Sequence, residues 1–279
     1  MNIRPLRDLT EEEIWRYEED GVIHVRGLFD NDWAGLIRRA CEENLDNPSP
    51  RVREAVKLGD QGRFQSDAWV CYHNDKFRQY AFDSPCAEIA AQVMRTDKTY
   101  FFYDQPFVKL PETPAETAWH NDLPFWPFKR AEGICSLWMA ANDFGQETSG
   151  LEFVRGSHKW DKWYLAVTHD RDPAFMQTDL PECPNFSELR DEYDVVAWDM
   201  QAGDVLIFNT LIVHGSGGNP SKTTPRYAHS TRWLADHAIW DPRPATVGAL
   251  MPNVDHLPAG QSIAQEIFRD TFPQVYPNT

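Results

Sequence analysis

The sequence predicts a mainly β protein with flanking helices, a sandwich or barrel of short strands. Two observations predict this. Up to about residue 98 the apolar residues recur at helical spacing between cap signals. From residue 99 onward, short β-prone runs alternate with turn residues. There is no internal repeat and no low-complexity segment, so the elements can be read singly.

Residues 10–21 predict a capped helix: Thr10 and Glu13 form a capping box, Ile14 and Tyr17 share an apolar stripe, and Gly21 ends it. Val22-Ile23-His24-Val25 reads as a strand. A second helix starts at Asp30, with Trp33, Leu36, Ile37 and Ala40 at helical spacing. Residues 46–68 are polar and punctuated by Pro and Gly, so a loop is expected there. Residues 84–94 suggest a helix with Pro85 in its first turn. The strand runs that follow begin near Thr99, Val108, Ile134, Leu151, Val195, Val205 and Tyr227. Residues 165–194 are polar and Pro-rich, too long for an ordinary connection, and are expected to form a lid or insertion. A Pro-rich tail covers 239–262, with a short helix at 262–269.

The 279 residues suit a single domain over 1–279 with a sizeable core: a helical preface to about 98, a β core over about 99–236 and a C-terminal tail over 237–279. Acidic residues outnumber basic ones 43 to 27, a formal charge of −16, which argues against nucleic acid and anionic membrane surfaces as partners. No apolar run approaches the length of a transmembrane helix. The N-terminal segment lacks the apolar stretch of a signal peptide. The five cysteines have no CxxC spacing and read as reduced thiols, so a cytoplasmic location is expected. The 11 tryptophans point to a core or pocket rich in flat rings.

Three segments carry chemistry. In Trp119-His120-Asn121-Asp122, an extended backbone places His120 and Asp122 on one face, offering an imidazole nitrogen and a carboxylate oxygen to a metal. Alone, the pair equally describes a histidine bonded to its neighbour. Val205-Leu206-Ile207-Phe208 follows a Gly-Asp turn, and the next strand ends at His214 beside Gly215 and Gly217. Arg226 opens a strand twelve positions later, where an inward guanidinium calls for an anion; Ser230 shares its face, and Arg232 is an equally good pocket arginine. Two His and one carboxylate with open positions form the facial triad of non-haem Fe(II) oxygenases, whereas the lack of cysteine ligands argues against structural zinc.

With these motifs in place, the chain resembles the phytanoyl-CoA dioxygenase (PhyH) family of Fe(II)/2-oxoglutarate-dependent oxygenases. The resemblance runs over most of the sequence. It begins at Tyr17-Glu18-Glu19-Asp20-Gly21-Val22-Ile23-His24-Val25-Arg26-Gly27-Leu28-Phe29 and continues through Gln105-Pro106-Phe107-Val108-Lys109 and His120-Asn121-Asp122. Ser136-Leu137-Trp138-Met139-Ala140, Ser149-Gly150-Leu151 and Gly156-Ser157-His158-Lys159 follow. Ala202-Gly203-Asp204, His214-Gly215-Ser216-Gly217-Gly218-Asn219 and Pro225-Arg226 complete it in the same order.

The resemblance implies a double-stranded β-helix (jelly-roll, cupin-like) barrel. It implies Fe(II) held by His120, Asp122 and His214, with the far carboxylate of 2-oxoglutarate on Arg226. Lys109, Trp138 and Ser230 are the implied further contacts of that co-substrate. The implied reaction consumes O2, converts 2-oxoglutarate to succinate and CO2, and hydroxylates a substrate C–H bond. Asn121 stands where the family commonly has Gln, so family substrate preferences do not carry over. Asp122 is retained, which disfavours halogenation.

For substrate, Asn121, Trp126 and Tyr103 are the candidate lining residues, with Trp69, Phe125 and Trp163 as further rings. A small zwitterion or an aminoethyl- or trimethylammonioethyl-type organophosphonate fits such rings through cation–π contact. An intermediate of natural-product biosynthesis is the rival. An acyl-CoA is less expected, because Lys129-Arg130 is the only nearby basic pair. From a different class, a non-redox metal barrel acting as hydrolase or isomerase, or a ligand-binding module, accounts for the same triad but leaves Arg226 and Lys109 without a purpose. The remaining histidines, His24, His73, His169, His237 and His256, read as structural or exposed, while His158 and His229 are candidates to hydrogen-bond behind the site. Oligomeric state is not legible.

Overall fold

A computed structural model of the chain describes residues 1–55, 62–165, 172–176 and 178–277. Among these residues, four helices precede most of the sheet: α1 (Glu11–Asp20), α2 (Asn31–Asp46), α3 (Asp75–Asp83) and α4 (Cys86–Met94). Twelve strands follow chain order as β1 (Val22–Val25), β2 (Val52–Ala55), β3 (Phe64–Asp67), β4 (Thr99–Lys109), β5 (Thr117–His120), β6 (Ile134–Ala140), β7 (Glu152–Val154), β8 (Val195–Ala197), β9 (Val205–Asn209), β10 (His214–Ser216), β11 (Arg226–Ala235) and β12 (Gln274–Tyr276). They build two antiparallel sheets. The larger runs β1-β9-β6-β11-β4-β3-β2, with β12 also on β4; the smaller runs β5-β10-β7-β8.

The capping box of α1 is present in both directions, and Gly21 closes the helix at φ 81. A Cβ at Gly21 would stand 2.4 Å from His158 Nδ1, so glycine is required there for space as well as for its left-handed backbone. Asn74 caps α3 by accepting from the Lys76 amide, and Phe77, Tyr80 and Ala81 bury its inner face.

The larger sheet alternates between two environments, as a pleated strand must. Cys135, Leu137 and Met139 of β6, with Val205 and Ile207 of β9, pack against the helices together with Trp33, Ile37 and Ile89. Their neighbours Trp138, Ala140, Leu206 and Phe208 point the other way and join Phe153 of the smaller sheet. The interior between the sheets is therefore reached from even-numbered positions of β6, β9 and β11.

Residues 46–68 depart from the loop expected of them. They contain β2 and β3, paired from Val52↔Asp67 to Ala55↔Phe64. The polar composition hid them: Gln65 and Asp67 are buried through hydrogen bonding, with Asp67 accepting from the Ser49 amide at 2.7 Å and Gln65 Oε1 from the Asn44 side-chain amide at 3.3 Å. The runs at Thr99 and Val108 are one continuous strand, with Asp104 internal and its Oδ1 accepting from the Cys71 amide at 3.2 Å. The chain's last strand, β12, returns to pair with the start of β4. The 262–269 helix is a 3-10 turn at Glu266–Phe268. Part of the 165–194 segment, and His169 with it, lies outside the described residues. All five cysteines are free thiols. Among the described residues no helix is long and apolar enough to cross a membrane.

Candidate metal centre and its cavity

β5 and β10 pair with His120 directly opposite His214. This register alone brings two imidazoles together from positions 94 apart, with ring centroids 4.3 Å apart. His120 Nδ1 lies 2.7 Å from the Ala118 carbonyl, and His214 Nδ1 lies 3.1 Å from the Ile212 carbonyl. A carbonyl oxygen only accepts, so each Nδ1 holds the proton and donates, leaving each Nε2 with a free lone pair. Fixing a ligand's tautomer through its other nitrogen is the usual arrangement behind a metal.

Asp122 reaches the same point by a different route from the extended pairing expected. β5 ends at His120; Asp122 is in a helical turn, and its amide donates to the Thr210 carbonyl at 2.9 Å. Asp122 Oδ1 lies 3.4 Å from His120 Nε2 and 3.9 Å from His214 Nε2. One ligand atom from each of the three residues falls within 4.8 Å of the others.

The electrostatics suit a cation. Burial opposes ionisation of Asp122, but the adjoining His120 and His214 rings and the charge of Arg232 outweigh it and hold the carboxyl at about 2. Burial, helped by the charge of His120 and opposed by Asp122, lowers His214 to about 4. At neutral pH, Asp122 is therefore anionic and His214 is a neutral ligand. Asp122 Oδ2 is buried without a hydrogen-bond partner. An orphaned carboxylate oxygen beside two unprotonated imidazole nitrogens is the donor set of a divalent metal.

These groups open on a cavity of about 420 Å³ between the sheets. His120, Asp122, His214, Trp138, Arg226 and Ser230 all line it. Arg226 is 1% exposed, donates to the Ser149 carbonyl at 2.8 Å and lies over the Trp138 ring at 5.6 Å. Its Nε and the Ser230 hydroxyl have no partner. Burial lowers the Arg226 guanidinium to about 9. A buried guanidinium and hydroxyl aimed at a cavity, with no carboxylate bonded to either among the described residues, form an anion site.

Three expected residues are placed differently. Lys109 is fully buried, yet its ammonium donates to Ser216 at 2.9 Å and to the Gly217 carbonyl at 2.7 Å; it lies beside Arg226 in register and behind the cavity wall. The Asn121 amide donates to the Lys162 carbonyl at 2.7 Å and accepts from the Tyr164 amide at 3.3 Å, which fastens the 162–164 segment over the metal motif outside the cavity lining. Trp163 faces a second, smaller cavity with Lys129 and Arg130, and Arg243 stacks on it at 4.5 Å.

Trp126 and Tyr103 do line the main cavity, joined by a 3.0 Å bond from the indole Nε1 to the phenol oxygen. Trp69 and Phe125 line it too. His229 faces the helices: it stacks on Phe77 at 4.6 Å and lies 3.3 Å from Asp104. His158 serves α1, lying 3.1 Å from the Glu18 carbonyl. Sequence reasoning passed over Arg51, Arg53, Gln105 and Phe175, which also line the cavity. The first two were hidden inside the supposed 46–68 loop.

The sequence profile described as phytanoyl-CoA dioxygenase (PhyH) matches residues 17–228. An ectoine dioxygenase of Stutzerimonas stutzeri is 25% identical over 223 residues, covering 76% of this chain and 72% of that protein. The α-ketoglutarate-dependent carbocyclase SnoK from nogalamycin biosynthesis superposes with a TM-score of 0.73 at 21% identity, covering 99% and 100% of the two chains. The epimerase SnoN, solved with Fe3+, α-ketoglutarate and nogalamycin RO, gives 0.72 at 21% identity over 95% and 98%. The mainly β, antiparallel fold with flanking helices is thus shared with non-haem, α-ketoglutarate-dependent enzymes.

Proposed function

The chain belongs to the phytanoyl-CoA dioxygenase family, and on that premise we propose an Fe(II)/2-oxoglutarate-dependent oxygenase that hydroxylates a C–H bond of a small molecule, with a double-stranded β-helix as its frame. His120 Nε2, His214 Nε2 and a carboxylate oxygen of Asp122 would hold the iron. The observation that carries this reading is the convergence of those three donors within 4.8 Å around a buried, unpartnered carboxylate oxygen.

When bound, iron and 2-oxoglutarate would supply the activation of O2 that accompanies oxidative decarboxylation of the keto acid. The protein's share is orientation and exclusion of water. Arg226 would take the far carboxylate of 2-oxoglutarate through a planar fork, and Ser230, two pleat repeats further along the same face, would donate its hydroxyl. Trp138, opposite Ser230 in register, would wall that carboxylate. Lys109 supports this anchor from behind: its bonds to Ser216 and Gly217 fix β10 just past His214.

The substrate is a compact molecule held by rings. Support comes from the cavity's modest volume and from the Trp126–Tyr103 pair on its wall. A small zwitterion or an aminoethyl-type organophosphonate meets both conditions. An acyl-CoA fits the modest volume poorly. The test requires no substrate: protein given Fe(II), 2-oxoglutarate and O2 should form succinate slowly. No succinate and no binding of 2-oxoglutarate would overturn the reading.

A further inference from the structure

One buried cation in the cavity is left unexplained by an iron site and a keto-acid anchor. Arg232 is 4% exposed and lines the same cavity, six residues beyond Arg226 on β11. It donates at 3.2 Å to the Ser230 carbonyl and at 3.3 Å to Gln105 Oε1. Its Nε–H has no partner. The guanidinium lies over Tyr103 at 4.4 Å and over Phe107 at 5.7 Å. Among the described residues, no carboxylate comes within ion-pair distance of it. Asp104, on the neighbouring strand, lies 3.3 Å from His229 and accepts from the Cys71 amide. A guanidinium withdrawn from water with donors to spare calls for an anion.

The cavity as a whole makes the same demand. Among the described residues, four arginines line it, Arg51, Arg53, Arg226 and Arg232, with Asp122 as the one lining carboxylate; Arg53 is paired with Asp172 at 2.8 Å, which leaves three cations facing Asp122. This is a positive hollow in a chain of net charge −16. Arg226 and Arg232 are separated by roughly 20 Å of extended backbone, at about 3.3 Å per residue. Their polar contacts differ: the Ser149 carbonyl for one, the Ser230 carbonyl and Gln105 for the other. One small keto acid spanning the metal site and Arg226 leaves Arg232 unanswered.

We propose that Arg232, with Gln105 beside it, binds an oxyanion group of the substrate, a carboxylate or a phosphonate, while Tyr103 and Trp126 wall the rest of the molecule. This rests on the site reading given above and narrows its substrate to an anion or zwitterion. Arg51, stacked on Trp69 at 5.6 Å, adds positive charge to the same wall, which favours the entry of anions.

The test is calorimetric titration of methylphosphonate, and separately of acetate, into anaerobic protein already saturated with Fe(II) and 2-oxoglutarate. One of the two probes should bind saturably, and which one identifies the oxyanion. In Arg232→Gln that affinity should fall at least about tenfold, because a charged two-pronged contact is lost. Arg232→Lys, which keeps the charge without the fork, should lie between. The affinity for 2-oxoglutarate should stay within about twofold of wild type in both variants, which also reports intact folding. If Arg232→Gln does not fold, Arg232→Lys carries the comparison. The proposal is overturned if neither probe binds the loaded wild type, if the variants bind the probe unchanged, or if they lose 2-oxoglutarate instead. Failure of wild-type protein to take up 2-oxoglutarate with Fe(II) would sink the underlying site reading, a separate result.

Discussion

His120 and His214 stand directly opposite each other where β5 pairs with β10, their rings 4.3 Å apart and each Nδ1 tied to a backbone carbonyl two residues earlier. Because the register sets the spacing, neither histidine can be replaced by a neighbour. His214→Ala should lower succinate formation by at least about 100-fold, since even changes behind the ligands cost 10- to 100-fold. Iron content measured on the purified protein should fall with it. Retention of both would exclude His214 as a ligand.

Arg226→Gln should weaken 2-oxoglutarate binding without releasing iron. A charged hydrogen bond contributes about 1.5–3 kcal/mol, so the dissociation constant should rise about 10- to 150-fold. Anaerobic titration of the Fe(II) protein, followed by the absorption of the iron–keto-acid complex, reads this directly. An unchanged constant would remove Arg226 from the anchor.

Asn121→Ala should act on the fold rather than on the metal. The Lys162 carbonyl and the buried Tyr164 amide lose their partner, at a cost of about 1–3 kcal/mol. Chemical denaturation should show that loss while iron content stays at the wild-type level. Loss of iron with no loss of stability would contradict this role.

Asp204 should give the fold an acid-sensitive joint. Burial opposes its ionisation, but His24 at 2.9 Å, the Gln201 amide at 2.9 Å and Arg26 at 3.1 Å outweigh it and hold the carboxyl below its ordinary range. A depressed carboxylate contributes stability above its unfolded value of about 3.9 and loses it as pH falls through the lower folded value. Asp204→Asn should therefore be less stable than wild type at neutral pH, and the gap should close as pH drops below about 4. A gap that does not change with pH would contradict the joint.

Much of this was legible in the sequence because the signals were local. Thr10, Glu13 and Gly21 declare α1 by themselves, and the short β-prone run Ile134–Ala140 between turn residues declares β6. The metal triad was legible as residue types, yet for Asp122 the reason was wrong: a turn held by Thr210 converges it on His120, not the pleat of a strand. What escaped was structure whose polar side chains are satisfied only in three dimensions. Gln65 and Asp67 read as loop because their partners, Asn44 and Ser49, come from α2 and the segment that follows it. β12 was hidden because its pairing partner, the start of β4, lies some 170 residues earlier. Arg226 and Arg232 could not be told apart by spacing, since both have the parity that faces inward; both line the cavity.

The most direct test of the account is anomalous diffraction at the iron edge from crystals grown anaerobically with Fe(II) and 2-oxoglutarate. The account predicts one strong peak within bonding distance of His120 Nε2, His214 Nε2 and an Asp122 oxygen, with keto-acid density running from it to Arg226. A peak elsewhere, or none between these three side chains, would contradict it.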